Sequence, residues 1–291
     1  MGPNIGLLGA NSLVGECVIQ RLRKDGRHTV AFSRHPPDGR TEQRVTWLQL
    51  PSYSLPAHPE GSQIKDWLCV APIWVLPQYF SMIEVCSARR VVALSSTSLF
   101  VKHDSSDHGE QDVARRLAEG ERALRVWAEA QGVEWVILRP TLIYGGGRDK
   151  NLTEIVRLVC RWGFFPLLGE AKGLRQPVHA EDVATACVSA LTVPVAANLT
   201  YNLSGGETLS YREMVCRVFA TLGKLPHLVK VPRWFFRLAM AVLRLSPRYR
   251  HWTVEMAERM NRDLVFDHTD AARDLGFSPR PFRLLPDDLP A

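Results

Sequence analysis

Paired cysteines, blocks of like charge and bilayer-length apolar runs are all missing from this sequence, and each absence removes a class of protein. The six cysteines, Cys17, Cys69, Cys86, Cys160, Cys187 and Cys216, include no Cys-x-x-Cys pair and no short cysteine–histidine spacing. Neither a disulfide framework nor a zinc site is indicated, so reduced thiols and no metal are expected. The start of the chain lacks the charged, apolar and small-residue sections of an export signal, which points to the cytoplasm. The net charge of +6 suits an anionic ligand or surface, and with no motif of a nucleic-acid reader the expected partner is a small-molecule substrate and not nucleic acid.

What is present is ordinary globular composition: 291 residues, 46% hydrophobic and 23% charged. That length suits one large domain or two unequal lobes sharing a core. The positive excess rises in the last third, where Arg233, Arg237, Arg244, Arg248 and Arg250 flank aromatic and aliphatic residues. The run 234–244 is interrupted by Arg237 and Arg244 and is shorter than the roughly 20 residues that span a bilayer. It reads as an interfacial amphipathic helix giving peripheral membrane contact, as a lid over an apolar substrate, or, by default, as a helix packed within a lobe.

Along the chain, strand-like runs at Asn4 to Leu8, His28 to Phe32, Val45 to Leu50, Trp67 to Ala71, Val91 to Leu94 and Val133 to Leu138 alternate with helical patterns. The clearest helices run from about Ser12 to Lys24 and from Asp112 to Gln131. Alternation of this kind predicts an α/β fold, a doubly wound, mostly parallel Rossmann-type sheet with ligands at the carboxyl ends of its strands. Beyond Tyr144 the character changes, with a glycine turn (Gly145, Gly146, Gly147), a helix from about Asn151 and the aromatic, glycine and proline segment Trp162 to Gly169. A short strand near Gln176 to His179 and a helix opened by Asp182 bring the chain back to the sheet. The remainder after Gly205 and Gly206 is expected to be mostly helical. The expected division is a dinucleotide-binding domain of residues 1–144 with about 176–204, and a small, mostly helical substrate-side lobe of 145–175 with 205–291.

The turn Gly9-Ala10-Asn11-Ser12-Leu13-Val14-Gly15 joins the first strand to the first helix. Such a turn needs a positive backbone angle at one glycine, and the helix needs a residue without a side chain where it crosses the sheet. The free N–H groups at the helix start then face a pyrophosphate. Gly9, Asn11, Ser12, Leu13, Val14 and Gly15 are therefore candidate cofactor contacts.

Gly9-x-x-x-x-x-Gly15 is followed in order by Leu94-Ser95-Ser96-Thr97, by Leu138-Arg139-Pro140 with Ile143-Tyr144-Gly145, and by Val178-His179-Ala180-Glu181-Asp182-Val183-Ala184. Together these resemble the extended short-chain dehydrogenase/reductase superfamily, and within it the NAD-dependent epimerase/dehydratase group that acts on nucleotide sugars. The similarity runs from Asn4 to the Leu275-Gly276-Phe277-Ser278-Pro279-Arg280 ending. It implies an NAD(P)-binding oxidoreductase with a small-molecule substrate, suggests a homodimer, and adds Ala71, Ser95, Pro140 and Leu142 to the cofactor contacts. Ser12 stands where the family's G-x-x-G-x-x-G has its middle glycine; serine is a good N-cap, so binding is retained.

An NAD-specific site ends its second strand with an acid for the ribose 2′-OH, whereas this chain has Ser33 and Arg34. A guanidinium there suits a 2′-phosphate, so NADP(H) is preferred over NAD(H). The family's adenine-contacting aspartate is also missing, with Leu50-Pro51 in its place.

In this superfamily the proton is handled by a tyrosine and a lysine one helical turn apart. None of the six tyrosines has lysine four residues on, and alignment on Glu121-Arg122-Ala123-Leu124 puts Val113 at the tyrosine and Leu117 at the lysine. Ser96 matches the catalytic serine or threonine, Thr97 if the register slips by one. Lys102 and His103, on the loop after that strand, are the candidate replacements, against the reading of a solvated surface loop. Tyr144 to Arg148 has the spacing with arginine but follows the wrong strand, and reads as packing. Arg175, in Arg175-Gln176-Pro177-Val178-His179, resembles the arginine that grips a nucleotide sugar's diphosphate. Either the chain is an enzyme with a non-standard proton donor, or it binds NADP(H) as a structural, sensing or assembly protein without catalysis.

Overall fold

A computed structural model describes residues 4–37, 42–50, 64–149, 151–232, 234 and 258–290. Strand β1 (Asn4–Leu8) turns into α1 (Leu13–Lys24), followed by β2 (Thr29–Ser33), β3 (Val45–Gln49), β4 (Ile64–Cys69), α2 (Phe80–Val85) and β5 (Arg90–Leu94). Helices α3 (Ser98–Lys102) and α4 (His108–Gln131) precede β6 (Glu134–Pro140) and the short β7 (Ile143–Tyr144). Then come α5 (Leu152–Trp162), β8 (Phe165–Leu168), β9 (Leu174–Arg175), β10 (Val178–His179), α6 (Ala180–Ala190) and β11 (Leu199–Leu203). The described chain continues through β12 (Leu209–Ser210), α7 (Tyr211–Thr221), β13 (Leu228–Val231) and α8 (Thr269–Leu275).

Seven strands form one sheet in the order β11-β6-β5-β4-β1-β2-β3, every pairing parallel. Residues of β2 and β5 are buried along their whole length, as apolar strands must be when helices cover both faces. On one face Val18 and Leu22 of α1 pack with Ala184 and Cys187 of α6. On the other, Leu117, Leu124 and Ala128 of α4 pack with Ile73 and Ile83. A third apolar cluster joins Tyr144, α5, β8 and α7 and forms the lobe beside the sheet. Strand order reverses between β1 and β4, and a crevice opens outside the carboxyl ends of strands at such a reversal.

The doubly wound parallel sheet agrees with the sequence pattern; two helix starts and one unforeseen strand differ from it. Helix α4 starts at His108, a turn before Asp112, because the Asp107 carboxylate accepts the Glu110 N–H at 2.9 Å and caps it. Helix α6 opens at Ala180 with His179 as its N-cap, while Asp182 turns its carboxylate to Arg280. Strand β11 had no clear signal: it is a sheet edge with only Tyr201 and Leu203 buried, and its Thr and Asn blur the alternation. Beyond Gly206 the described residues include β12 and β13 as well as helices, β13 lying parallel to β8.

Beneath the sheet, at the end away from the crevice, Arg90 is 1% exposed. Its guanidinium donates to Glu134 at 2.7 Å and to the carbonyls of Ala190 and Val193 at 2.9 and 2.8 Å, tying the end of α6 to β5. Removing the guanidinium leaves the buried Ala190 carbonyl and the half-buried Val193 carbonyl without these donors. An Arg90→Leu variant is expected to lose about 3 kcal/mol of unfolding free energy in urea titration, and a loss under about 0.5 kcal/mol contradicts this role.

Candidate functional site

The β1–α1 turn is built on two close backbone approaches. Gly9 has φ +85°, and a β-carbon there would sit 2.5 Å from the Ala71 amide nitrogen. A β-carbon on Gly15 would sit 2.3 Å from the Gly9 carbonyl oxygen. No other residue fits at either place without moving backbone. The Ser12 hydroxyl accepts the Gly15 N–H at 3.0 Å, so serine caps the helix as its sequence position implies. Val14 is buried in the core, and the first amides of α1 have no carbonyl partners within the helix.

Asn11 and Ser33 fasten this turn to the end of β2. The Asn11 amide donates to the Ser33 hydroxyl at 2.8 Å and to the His35 carbonyl at 2.7 Å, and the same hydroxyl accepts the His35 N–H at 3.1 Å. Arg34 is exposed beside them, its carbonyl accepting from Gln49 at 3.4 Å. Tyr79 lies close enough for the Arg34 charge to act on it: burial raises the phenol's pKa and the guanidinium partly reverses this. Leu50 is buried, and Pro51 lies outside the described residues.

At the end of β5 the Ser95 hydroxyl donates to Glu121 at 2.7 Å, and the Thr97 hydroxyl donates to the Pro140 carbonyl at 3.2 Å. Glu121, 2% exposed, also receives Arg139 Nε at 2.8 Å and Arg125 at 2.9 Å. This charged knot under the β5 and β6 tips was not anticipated; the signal was the arginine of Leu138-Arg139-Pro140, opposite an acid already used to align the helix. Ser96 is half-buried and its hydroxyl accepts the Ser98 N–H at 3.1 Å. Leu142 is half-buried against the lobe cluster. Val113, expected at the tyrosine position, packs on the apolar cluster in which Leu117, expected at the lysine position, is buried.

Lys102 is half-buried, and desolvation lowers its pKa; Arg259 lowers it further, while Glu110 and Asp107 act in the opposite sense. His103 is 79% exposed and its Nδ1 lies 2.9 Å from Asp104, the arrangement of a surface loop. Glu110 accepts from Ser105 at 2.8 Å and pairs with Arg259, which joins α4 to the 259–262 segment. Arg175, expected to face an anion, is 5% exposed and donates to the carbonyls of Leu174 and Arg262 at 2.7 Å each, and to that of Arg259. Burial lowers its pKa to about 10, and its guanidinium carbon lies 5.5 Å from the Tyr211 ring centre. Those hydrogen-bond partners are neutral carbonyls, so its charge is not cancelled by them. Of the run 234–244 only Trp234 is described, and the rest lies outside the described residues. No helix among the described residues is long and apolar enough to cross a membrane, and among them no group of acids, histidines and cysteines is placed to hold a metal.

Residues 80–204 match the NAD dependent epimerase/dehydratase family. The chain is 26% identical over 178 residues to UDP-glucose 4-epimerase of Vibrio cholerae, a match covering 61% of this chain and 52% of that protein. It is 32% identical over 100 residues to the mitochondrial NADH dehydrogenase [ubiquinone] 1 alpha subcomplex subunit 9 of Arabidopsis thaliana, covering 34% and 25% of the two chains. The chain thus spans about half the length, or less, of the curated relatives it matches. In fold it is similar to UDP-glucuronic acid 4-epimerase from Bacillus cereus, solved with UDP-glucuronic acid and NAD, at a TM-score of 0.73 and 14% identity over 96% of this chain and 95% of that one. The matched segment takes in the β5 tip, the Arg139–Tyr144 stretch and the return through α6; over these residues the chain is similar to the NAD dependent epimerase/dehydratase family, and its parallel sheet has the fold of the solved UDP-glucuronic acid 4-epimerase.

Proposed function

We propose that this chain is a nicotinamide dinucleotide-binding oxidoreductase of epimerase/dehydratase type, acting on a nucleotide sugar or a related hydroxyl or carbonyl compound with a proton donor other than tyrosine. The observation that carries the reading is the turn at Gly9 and Gly15, where two missing β-carbons let the end of β1, the Ala71 backbone and the start of α1 close tightly, the backbone arrangement that suits a diphosphate at the first amides of α1. Leu13, Val14 and the Ser12 cap would hold the diphosphate. Ala71, Ser95, Pro140 and Leu142, at the ends of the neighbouring strands, would line the rest of the dinucleotide. When bound, the cofactor supplies hydride acceptance and return.

NADP(H) is the preferred form. Arg34 stands at the end of β2 with its side chain exposed, and the Ser33 hydroxyl next to it is held by Asn11 and the His35 amide. A guanidinium in that place favours a 2′-phosphate over a bare 2′-hydroxyl. Arg175, which the resemblance makes the substrate's anion contact, would take that role only by giving up its carbonyl partners at Leu174, Arg259 and Arg262, since it is buried among them. Among Ser96, Lys102 and His103, the half-buried Lys102 is the better proton source, because burial already favours its neutral form. A homodimer, cytoplasmic residence and peripheral membrane contact through 234–244 belong to the same proposal.

The second reading, a non-catalytic NADP(H)-binding structural, sensing or assembly protein, rests on Val113 and Leu117: apolar packing occupies the helix face that carries the proton relay in active relatives.

Titration of protein fluorescence with NADPH and NADH tests the cofactor, and an Arg34→Ala variant is expected to weaken NADPH about tenfold while leaving NADH unchanged; equal loss of both contradicts the assignment. Single-turnover reduction of a nucleotide-sugar carbonyl separates the two readings, with oxidation of bound NADPH expected for the enzyme and binding without oxidation for the second. If Lys102 gives the proton, the reduction rate falls as pH rises through a pKa below the ordinary 10.5, and that fall disappears in Lys102→Met.

A further inference from the structure

Arg148 closes the glycine turn that follows β7, and it reaches back across the sheet to the other end of the cofactor cradle. Gly145, Gly146 and Gly147 have φ values of +128°, +56° and +61°, a succession that side-chain-bearing residues adopt only with strain. A β-carbon on Gly146 would lie 3.1 Å from Leu13 Cδ1, so this turn rests on the first residue of α1. From behind, the Gly146 N–H donates to Asp288 at 3.3 Å, and a β-carbon on Gly147 would lie 2.3 Å from the Leu289 carbonyl oxygen. The C-terminal segment thus fixes the turn in place. Arg148 Nη2 donates to the Asn11 carbonyl at 2.8 Å, and Nη1 donates to Glu16 at 2.5 Å.

A cation is poorly placed at the positive end of a helix, and here Glu16, in the first turn of α1, offsets it. The pair is half in water, 48% and 41% exposed, and exposed ion pairs of this kind are weak. A diphosphate arriving on the same amides is a better partner, because a planar guanidinium meets phosphate oxygens through two N–H groups at once. We propose that Arg148 is a further cofactor-binding residue: its guanidinium exchanges Glu16 for the diphosphate and closes over it from the lobe side. This rests on the dinucleotide reading of the Gly9–Gly15 turn. Glu16 is then a competitor for Arg148, and the two residues have opposite effects on binding.

The test is calorimetric titration of the wild type, R148A and E16Q with NADPH, and with ADP and adenosine as fragments that keep and lack the diphosphate. R148A is expected to weaken NADPH and ADP by roughly five- to tenfold and to leave adenosine unchanged, whereas E16Q tightens NADPH by roughly threefold. If the Arg148–Glu16 pair only braces the turn, E16Q weakens NADPH as R148A does, which overturns the exchange. Unchanged NADPH affinity in a folded R148A also overturns it. A wild type that binds none of these ligands removes the dinucleotide reading itself, a failure visible before any variant is compared.

Discussion

Two absent side chains hold the site together. With no β-carbon at Gly9, the end of β1 approaches the Ala71 backbone closely, and with none at Gly15, α1 starts hard against the Gly9 carbonyl. The helix axis is thereby aimed at the reversal of strand order between β1 and β4, where a parallel sheet leaves its crevice. Everything else on that edge is arranged around this aim. Asn11 ties the turn to β2, Arg148 ties it to the lobe, and Ser12 supplies the cap that a glycine in the same place would not.

One helix face at this edge is given over to packing. Leu117 and Val113 extend the apolar stripe of α4, and Gly120 further along brings that helix close to Ile73 and Trp74. Buried charge has moved elsewhere. Glu121 gathers Ser95, Arg125 and Arg139 beneath the strand tips, and Glu110 draws Arg259 of the lobe onto the start of α4. Of these, the Glu110–Arg259 pair alone joins α4 to the 259–262 segment and helps hold the two parts in register.

Much of this was legible in the residues alone, for a physical reason. Covered parallel strands must be apolar throughout, and a phosphate turn must carry glycine at fixed places, so β1, α1, β2 and β5 announce themselves locally. The edge strand β11 did not, since half of it faces outward. Nor did the partners of the charged groups. Arg175 is satisfied by carbonyls from residues 259 and 262, and Arg148 by a carboxylate 132 residues earlier in the chain. Such pairings depend on which strands lie side by side, and no local pattern encodes that. Asp182 shows the limit in miniature: the sequence sets it at the start of α6, where it stands in the first turn, but nothing local shows that it holds Arg280 from the far end of the chain.

The most direct measurement of the central claim is a crystal structure of the protein grown with NADPH. The account predicts diphosphate oxygens about 3 Å from the Leu13 and Val14 amides, with the adenosine end beside Arg34. A dinucleotide seated away from the Gly9–Gly15 turn, or a turn filled by the protein's own atoms with no dinucleotide bound, would contradict it.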